Sequence, residues 1–152
     1  STSVSILDET EIVYLARAAR RKVMSVGLMP GSRLPAHCTS MGRVLLASLP
    51  EAEARILVER SDLSPRTPSS VTSPDDVMAH VADARRLGYA LVDQEVEIGL
   101  RALAVPILSA RGRVVAALNA GVAAIQSEPN ELVTLYLPEL LRVQEGLRRV
   151  VS

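Results

Sequence analysis

Two adjacent residues, His37 and Cys38, pair an imidazole with a thiol. In a hydrolase, such a base would take the thiol proton and leave a nucleophile for a carbonyl carbon. The segment reads as extended, and neighbouring side chains on a strand point to opposite faces, so these two cannot meet directly. The plainer reading is a small buried thiol beside a half-exposed imidazole. Metal chemistry finds no support: His37, His80 and one Cys give no spacing that zinc would use. Asp93, Glu95 and Glu97 could supply a pair of carboxylates for acid and base work. They fall between two expected strands, where charges usually sit in solvent, and Arg101 is close enough in sequence to pair with one of them. Phosphate loops, dinucleotide fingerprints and nucleophile elbows are missing from the sequence. No catalytic, metal or cofactor site emerges from the residue types. One local feature survives: Thr39, Ser40, Met41 and Gly42 open a helix straight after a strand. Free N–H groups at a helix start attract carboxylates, and Gly42 would let a ligand approach the backbone. Plain helix capping explains the same residues.

The elements that must position these residues follow from periodicity and turn chemistry. Val4–Leu7 and Ile12–Ala16 flank the polar turn Asp8–Glu11 and predict a hairpin. A third run, Lys22–Leu28, leads into the turn Met29-Pro30-Gly31 and then Ser32–His37. Met41–Ser48 predicts a short helix capped by Thr39 or Ser40. A second helix starts at Pro50, with Glu51 and Glu53 at its positive end. Residues 61–73 are rich in Ser, Pro and Thr and read as a surface loop. Ser73-Pro74-Asp75-Asp76 starts a helix with Val77, Val81, Ala84 and Leu87 on one face, ended by Gly88. Tyr89–Val92 returns to strand, and Leu100–Leu108 and Val114–Val122 form a second hairpin. From Pro129 the pattern is helical, with Pro138 expected to kink or split it. Strands, helices, strands and a helix predict one α+β domain over residues 1–152, a mainly antiparallel β-sheet covered by helices.

Composition narrows the class. Lys plus Arg number 17 and Asp plus Glu number 17, so the net charge is zero. A free-standing DNA-binding domain carries a basic excess, because phosphate contacts supply most of its affinity. With three Tyr and no Trp or Phe, stacking platforms for bases are also scarce. The single Cys forbids an internal disulfide, and the chain has neither a signal-peptide pattern nor a long apolar run. A cytoplasmic location is expected.

Three segments carry a family resemblance. Gly31–Ala47 (GSRLPAHCTSMGRVLLA) resembles a hallmark of the IclR family's effector-binding domain. So do Gly88–Glu95 (GYALVDQE) with Gly99–Ile107 (GLRALAVPI), while Tyr136–Leu140 (YLPEL) is similar to the family's final helix. The wording of the first segment is closest to regulators of protocatechuate, p-hydroxybenzoate and β-ketoadipate catabolism. The resemblance implies a GAF-like sensor that works behind a winged helix-turn-helix, which would precede Ser1. It also implies a homodimer or homotetramer, contact with operator DNA only through that other domain, a small carboxylic acid effector, no cofactor and no enzymatic turnover. Carried over from relatives that bind small oxo-acids, the ligand positions are Ser40, Met41, Val92, Ala102, Asn119 and Gly121. Where those relatives place an acid, a thiol and two hydroxyls, this chain has Val92, Ala102, Asn119 and Gly121. That makes the expected pocket roomier and less polar, suited to a ring or a longer carbon chain. The alternatives are a hydrolase using Cys38 and His37, or a purely structural oligomerisation module.

Overall fold

The computed structural model describes residues 1–18 and 28–152; the third apolar run of the sequence, over 22–28, falls outside them except for Leu28. Strands β1 (Thr2–Asp8) and β2 (Glu11–Ala18) form the first hairpin, and β3 (Arg33–Pro35) joins the outer side of β2. Helices α1 (Ser40–Ala47), α2 (Glu51–Glu59) and α3 (Pro74–Leu87) follow. The chain then returns through β4 (Ala90–Asp93), β5 (Leu100–Leu108) and β6 (Val114–Ala123) and ends in α4 (Pro129–Arg148). The six strands make one sheet in the order β3-β2-β1-β6-β5-β4, with all pairings antiparallel. This is the α+β architecture that the sequence predicts.

Strands β5 and β6 are buried on two faces, and their side chains sort by size. Along β5, Ala102 and Ala104 alternate with Leu103 and Val105; along β6, Ala117, Asn119 and Gly121 alternate with Leu118, Ala120 and Val122. Side chains of a strand alternate between faces. The large set packs with Leu132 and Leu140 of α4, while the smaller set faces α1 and the core it shares with α2 and α3. Small side chains let α1 approach the sheet closely. Pro106 interrupts β5 without penalty because β4 reaches only as far as the Ala90↔Ala104 pair, and the Pro106 carbonyl accepts from Gln144 Nε2 at 2.8 Å.

Four local expectations need correction. α4 is not split at Pro138 and runs as one helix from Pro129 to Arg148. Leu87 does not share the buried face of Val77, Val81 and Ala84; it is exposed at the last turn, beside the left-handed Gly88. Residues 61–73 carry no helix or strand, yet they are not all surface: Thr67 is buried and donates to the Gln94 carbonyl, and Ser70 Oγ donates to the Glu95 carbonyl at 2.8 Å. His37 and Cys38 lie in a turn between β3 and α1, not on a strand.

Candidate functional site

The start of α1 forms one wall of the site. Thr39 Oγ1 accepts the Gly42 N–H at 3.1 Å and donates to the Pro35 carbonyl at 2.9 Å, and the Thr39 carbonyl accepts the Arg43 N–H. That leaves the N–H groups of Ser40 and Met41 without an acceptor among the described residues, at the positive end of the helix. Gly42 serves a different purpose from the one its sequence context suggests. A Cβ there would collide with backbone atoms of Ala36, so glycine is needed for the turn to pack against its own helix, not for ligand approach.

The sheet forms the floor. Val92, Ala102 and Gly121 are cross-strand neighbours in one row, and Ala104, Asn119, Ser3 and Arg17 are neighbours in the next. Paired positions share a face. A small cavity of about 40 Å³, open to solvent on one side, lies between this floor and the start of α1. All six sequence-derived positions, Ser40, Met41, Val92, Ala102, Asn119 and Gly121, line it.

Its polarity is uneven. Ser40 Oγ and Asn119 Oδ1 are buried and have no hydrogen-bond partner. An unpaired buried polar atom costs about 1–3 kcal/mol, and both of these belong to residues that line the cavity. Met41 is held by Ser5, whose Oγ donates to its Sδ at 3.2 Å. Sequence reasoning missed Tyr14, Arg17 and Val96 on the walls. A bulge opposite Val4/Ser5 puts Tyr14 and Arg17 on one face three residues apart, which hides them from a search at period two. Burial raises the Tyr14 pKa, keeping the phenol protonated. Among the described residues, no Asp or Glu lines the cavity, and Arg17 is the one charged side chain there.

Behind this wall the acidic series behaves unlike its solvent-exposed expectation. Asp93 pairs with Arg101 at 2.7 Å as foreseen, but Glu95 is buried and meets Arg43 in a two-pronged contact at 2.6 and 2.8 Å. Arg43 Nε also donates to the His37 carbonyl at 2.9 Å. The pair therefore ties α1 and its preceding turn to the 94–99 loop, from which Val96 reaches the cavity. A structural strut is the role these contacts support.

His37 and Cys38 are both buried, so the imidazole is not half-exposed. Burial pushes the Cys38 thiol up to about 11. Burial, and then the Arg43 charge, lower the His37 pKa, while Nδ1 has no hydrogen-bond partner. A neutral thiol and a neutral imidazole with no bond between them cannot act as an activated nucleophile. Among the described residues, no three His, Cys, Asp or Glu side chains converge as a metal site.

Comparison with known proteins identifies the family. Residues 1–143 match the family model for the bacterial transcriptional regulator IclR C-terminal domain. The chain is 40% identical to the Pca regulon regulatory protein of Pseudomonas putida, covering 97% of this chain and 51% of that protein. It is 35% identical to the p-hydroxybenzoate hydroxylase transcriptional activator of Acinetobacter baylyi, covering 98% and 57%. The chain thus spans about half the length of these curated relatives. A solved double mutant of the PobR transcription factor inducer-binding domain from Acinetobacter, in complex with 3-hydroxybenzoic acid, superposes with a TM-score of 0.91. It shares 34% identity, with 99% of this chain and 88% of that one covered.

Proposed function

The chain belongs to the IclR family of bacterial transcriptional regulators, matching its C-terminal domain, and from that premise we propose that its cavity receives a small carboxylic acid effector. The observation that carries this reading is the pair of unpartnered buried atoms, Ser40 Oγ and Asn119 Oδ1, on residues that line one cavity beside two helix-start amides with no acceptor among the described residues. A carboxylate at Ser40 and Met41 would meet N–H donors at the positive helix end, and Asn119 would bond a hydroxyl or keto oxygen. Val92, Ala102 and Gly121 keep the floor low and apolar, which suits a ring or a carbon chain. Aromatic acids such as protocatechuate or p-hydroxybenzoate, and β-ketoadipate, are the candidate ligands, in keeping with the names of the most similar relatives.

Binding would change how the complete regulator engages its operator. Contact with DNA would be made by a winged helix-turn-helix outside this chain, as the zero net charge favours, with the regulator working in the cytoplasm as a homodimer or homotetramer. The relatives are regulators, not enzymes, and the buried neutral Cys38 and His37 give the hydrolase alternative no chemistry.

A thermal-shift screen with protocatechuate, 4-hydroxybenzoate and β-ketoadipate tests the site. A ligand at a hundred times its Kd stabilises by about 2.7 kcal/mol, or roughly 5–10 °C for a domain of this size. Ala102→Phe, which fills the floor with an apolar ring, should abolish the shift, and the acid should be recovered unchanged. Absence of any shift would favour the oligomerisation module; an undiminished shift in Ala102→Phe would place the ligand elsewhere.

A further inference from the structure

A cavity of about 40 Å³ holds only a few water molecules, roughly 10–15 Å³ being needed for each. An aromatic acid is several times larger, so a wall must give way to admit one. The floor strands are laddered to neighbours on both sides, and α1 is packed into the core. The 94–99 loop, which brings Val96 to the cavity, is held differently. Its base is closed by the Gln94 N–H, which donates to the Leu100 carbonyl at 2.9 Å, and by the Gly99 N–H, which donates to Gln94 Oε1 at 3.0 Å. Both base residues have left-handed backbone, with φ of 59° at Gln94 and 90° at Gly99. Between them, Val96 and Ile98 have no backbone hydrogen bond among the described residues. Glu95 is what fastens this span. Its carboxylate grips Arg43 at 2.6 and 2.8 Å, and its carbonyl accepts from Ser70 Oγ at 2.8 Å.

We propose that the buried Arg43–Glu95 pair is the latch of this cavity: it holds the 94–99 loop inward, and the cavity widens for an effector when the pair parts and the loop carries Val96 away from the floor. The inference rests on the cavity being the effector site. Neither Arg43 nor Glu95 lines the cavity, so both are positioning residues. A buried ion pair suits a latch. Its attraction is largely offset by the desolvation of both charges, so it holds the loop without a large net gain in stability. Its two-pronged geometry is directional and is lost over a short displacement, whereas an apolar contact would slide. Parting the pair at the protein surface lets water reach both charges, which lowers the cost of the open state. Ile98, at the loop tip, already faces solvent.

Stopped-flow mixing with 4-hydroxybenzoate, followed by the ligand's own absorbance and paired with melting curves, tests the latch. In Glu95→Gln the charge contact is lost, and a larger fraction of the protein is open. Apparent association and affinity scale with that fraction, so both should rise, association by at least about fivefold. The same variant should melt below the parent. A merely structural pair would lose affinity together with stability. Val96→Ala, which trims the wall and leaves the pair intact, should also speed association. Adding Glu95→Gln to it should change little further, because both act on one barrier. Unchanged or slower association in Glu95→Gln, or full additivity with Val96→Ala, would overturn the latch and leave the effector site standing. If Glu95→Gln does not fold, unchanged association in Val96→Ala overturns it in the same way. If neither the parent nor any variant binds 4-hydroxybenzoate or β-ketoadipate, the latch and the effector site fall together.

Discussion

Ser40 Oγ and Asn119 Oδ1 are costs in the empty protein and contacts in the liganded one. Removing either should therefore separate stability from binding. Ser40→Ala and Asn119→Ala should leave the unliganded melting temperature unchanged or slightly higher, because each deletes an unsatisfied buried polar atom. Each should also weaken an oxygen-bearing acid by about 0.5–1.5 kcal/mol, the worth of a neutral hydrogen bond. Titration beside a melting curve checks both halves; a variant that loses stability and keeps full affinity would make the atom structural. Gly42 should behave in the opposite way. Its Cβ would meet the Ala36 backbone, which cannot move without unmaking the turn, so Gly42→Ala should cost several kcal/mol. A denaturation midpoint near the parent's would show that the turn yields.

Among the elements, α1 and the 94–99 loop are joined by the buried Arg43–Glu95 pair, with side chains 1% and 7% exposed. Breaking such a pair leaves a buried charge alone and costs about 3–5 kcal/mol, whereas replacing both partners by apolar residues of similar volume is often neutral. Glu95→Ala should thus destabilise strongly, and Arg43→Met with Glu95→Leu should recover most of that loss by chemical denaturation. A double variant as weak as the single would show that the hydrogen bonds to the His37 carbonyl and the 67–71 segment matter more than the charges. This strut was not legible in the sequence, since 52 residues separate its partners and an acid in a linker reads as solvated. Helix boundaries were legible where caps and breakers are strong: Ser73 with Pro74 opens α3 and Gly88 closes it. The floor of the cavity was legible only through the family resemblance. Ala102, Asn119 and Gly121 look unremarkable in their strands, and only pairing across three strands makes them neighbours.

For the whole molecule, His37 links stability to pH. Burial holds its pKa below the ordinary 6.5, so the unfolded chain takes up a proton at a higher pH than the folded one. The contribution is fully present above about pH 6.5 and is lost as pH falls from there towards the folded value. Denaturant midpoints at pH 7.5 and 5.5 should differ in the parent, and the difference should shrink in His37→Gln. Parallel slopes in the two proteins would assign the acid sensitivity to other groups. The same burial explains why the fold class was readable while the state of His37 was not: alternating patterns report faces of strands, and a turn between elements has no such period. The row Val92–Ala102–Gly121 bears on how such a protein acquires new ligands. Each of its three positions raises or lowers the cavity floor by one side chain while the backbone ladder beneath stays paired. Variation there can search ligand shapes in small steps on the face of the sheet opposite α4. A lineage, or a library randomised at those three codons, can therefore drift between effectors without passing through unfolded intermediates.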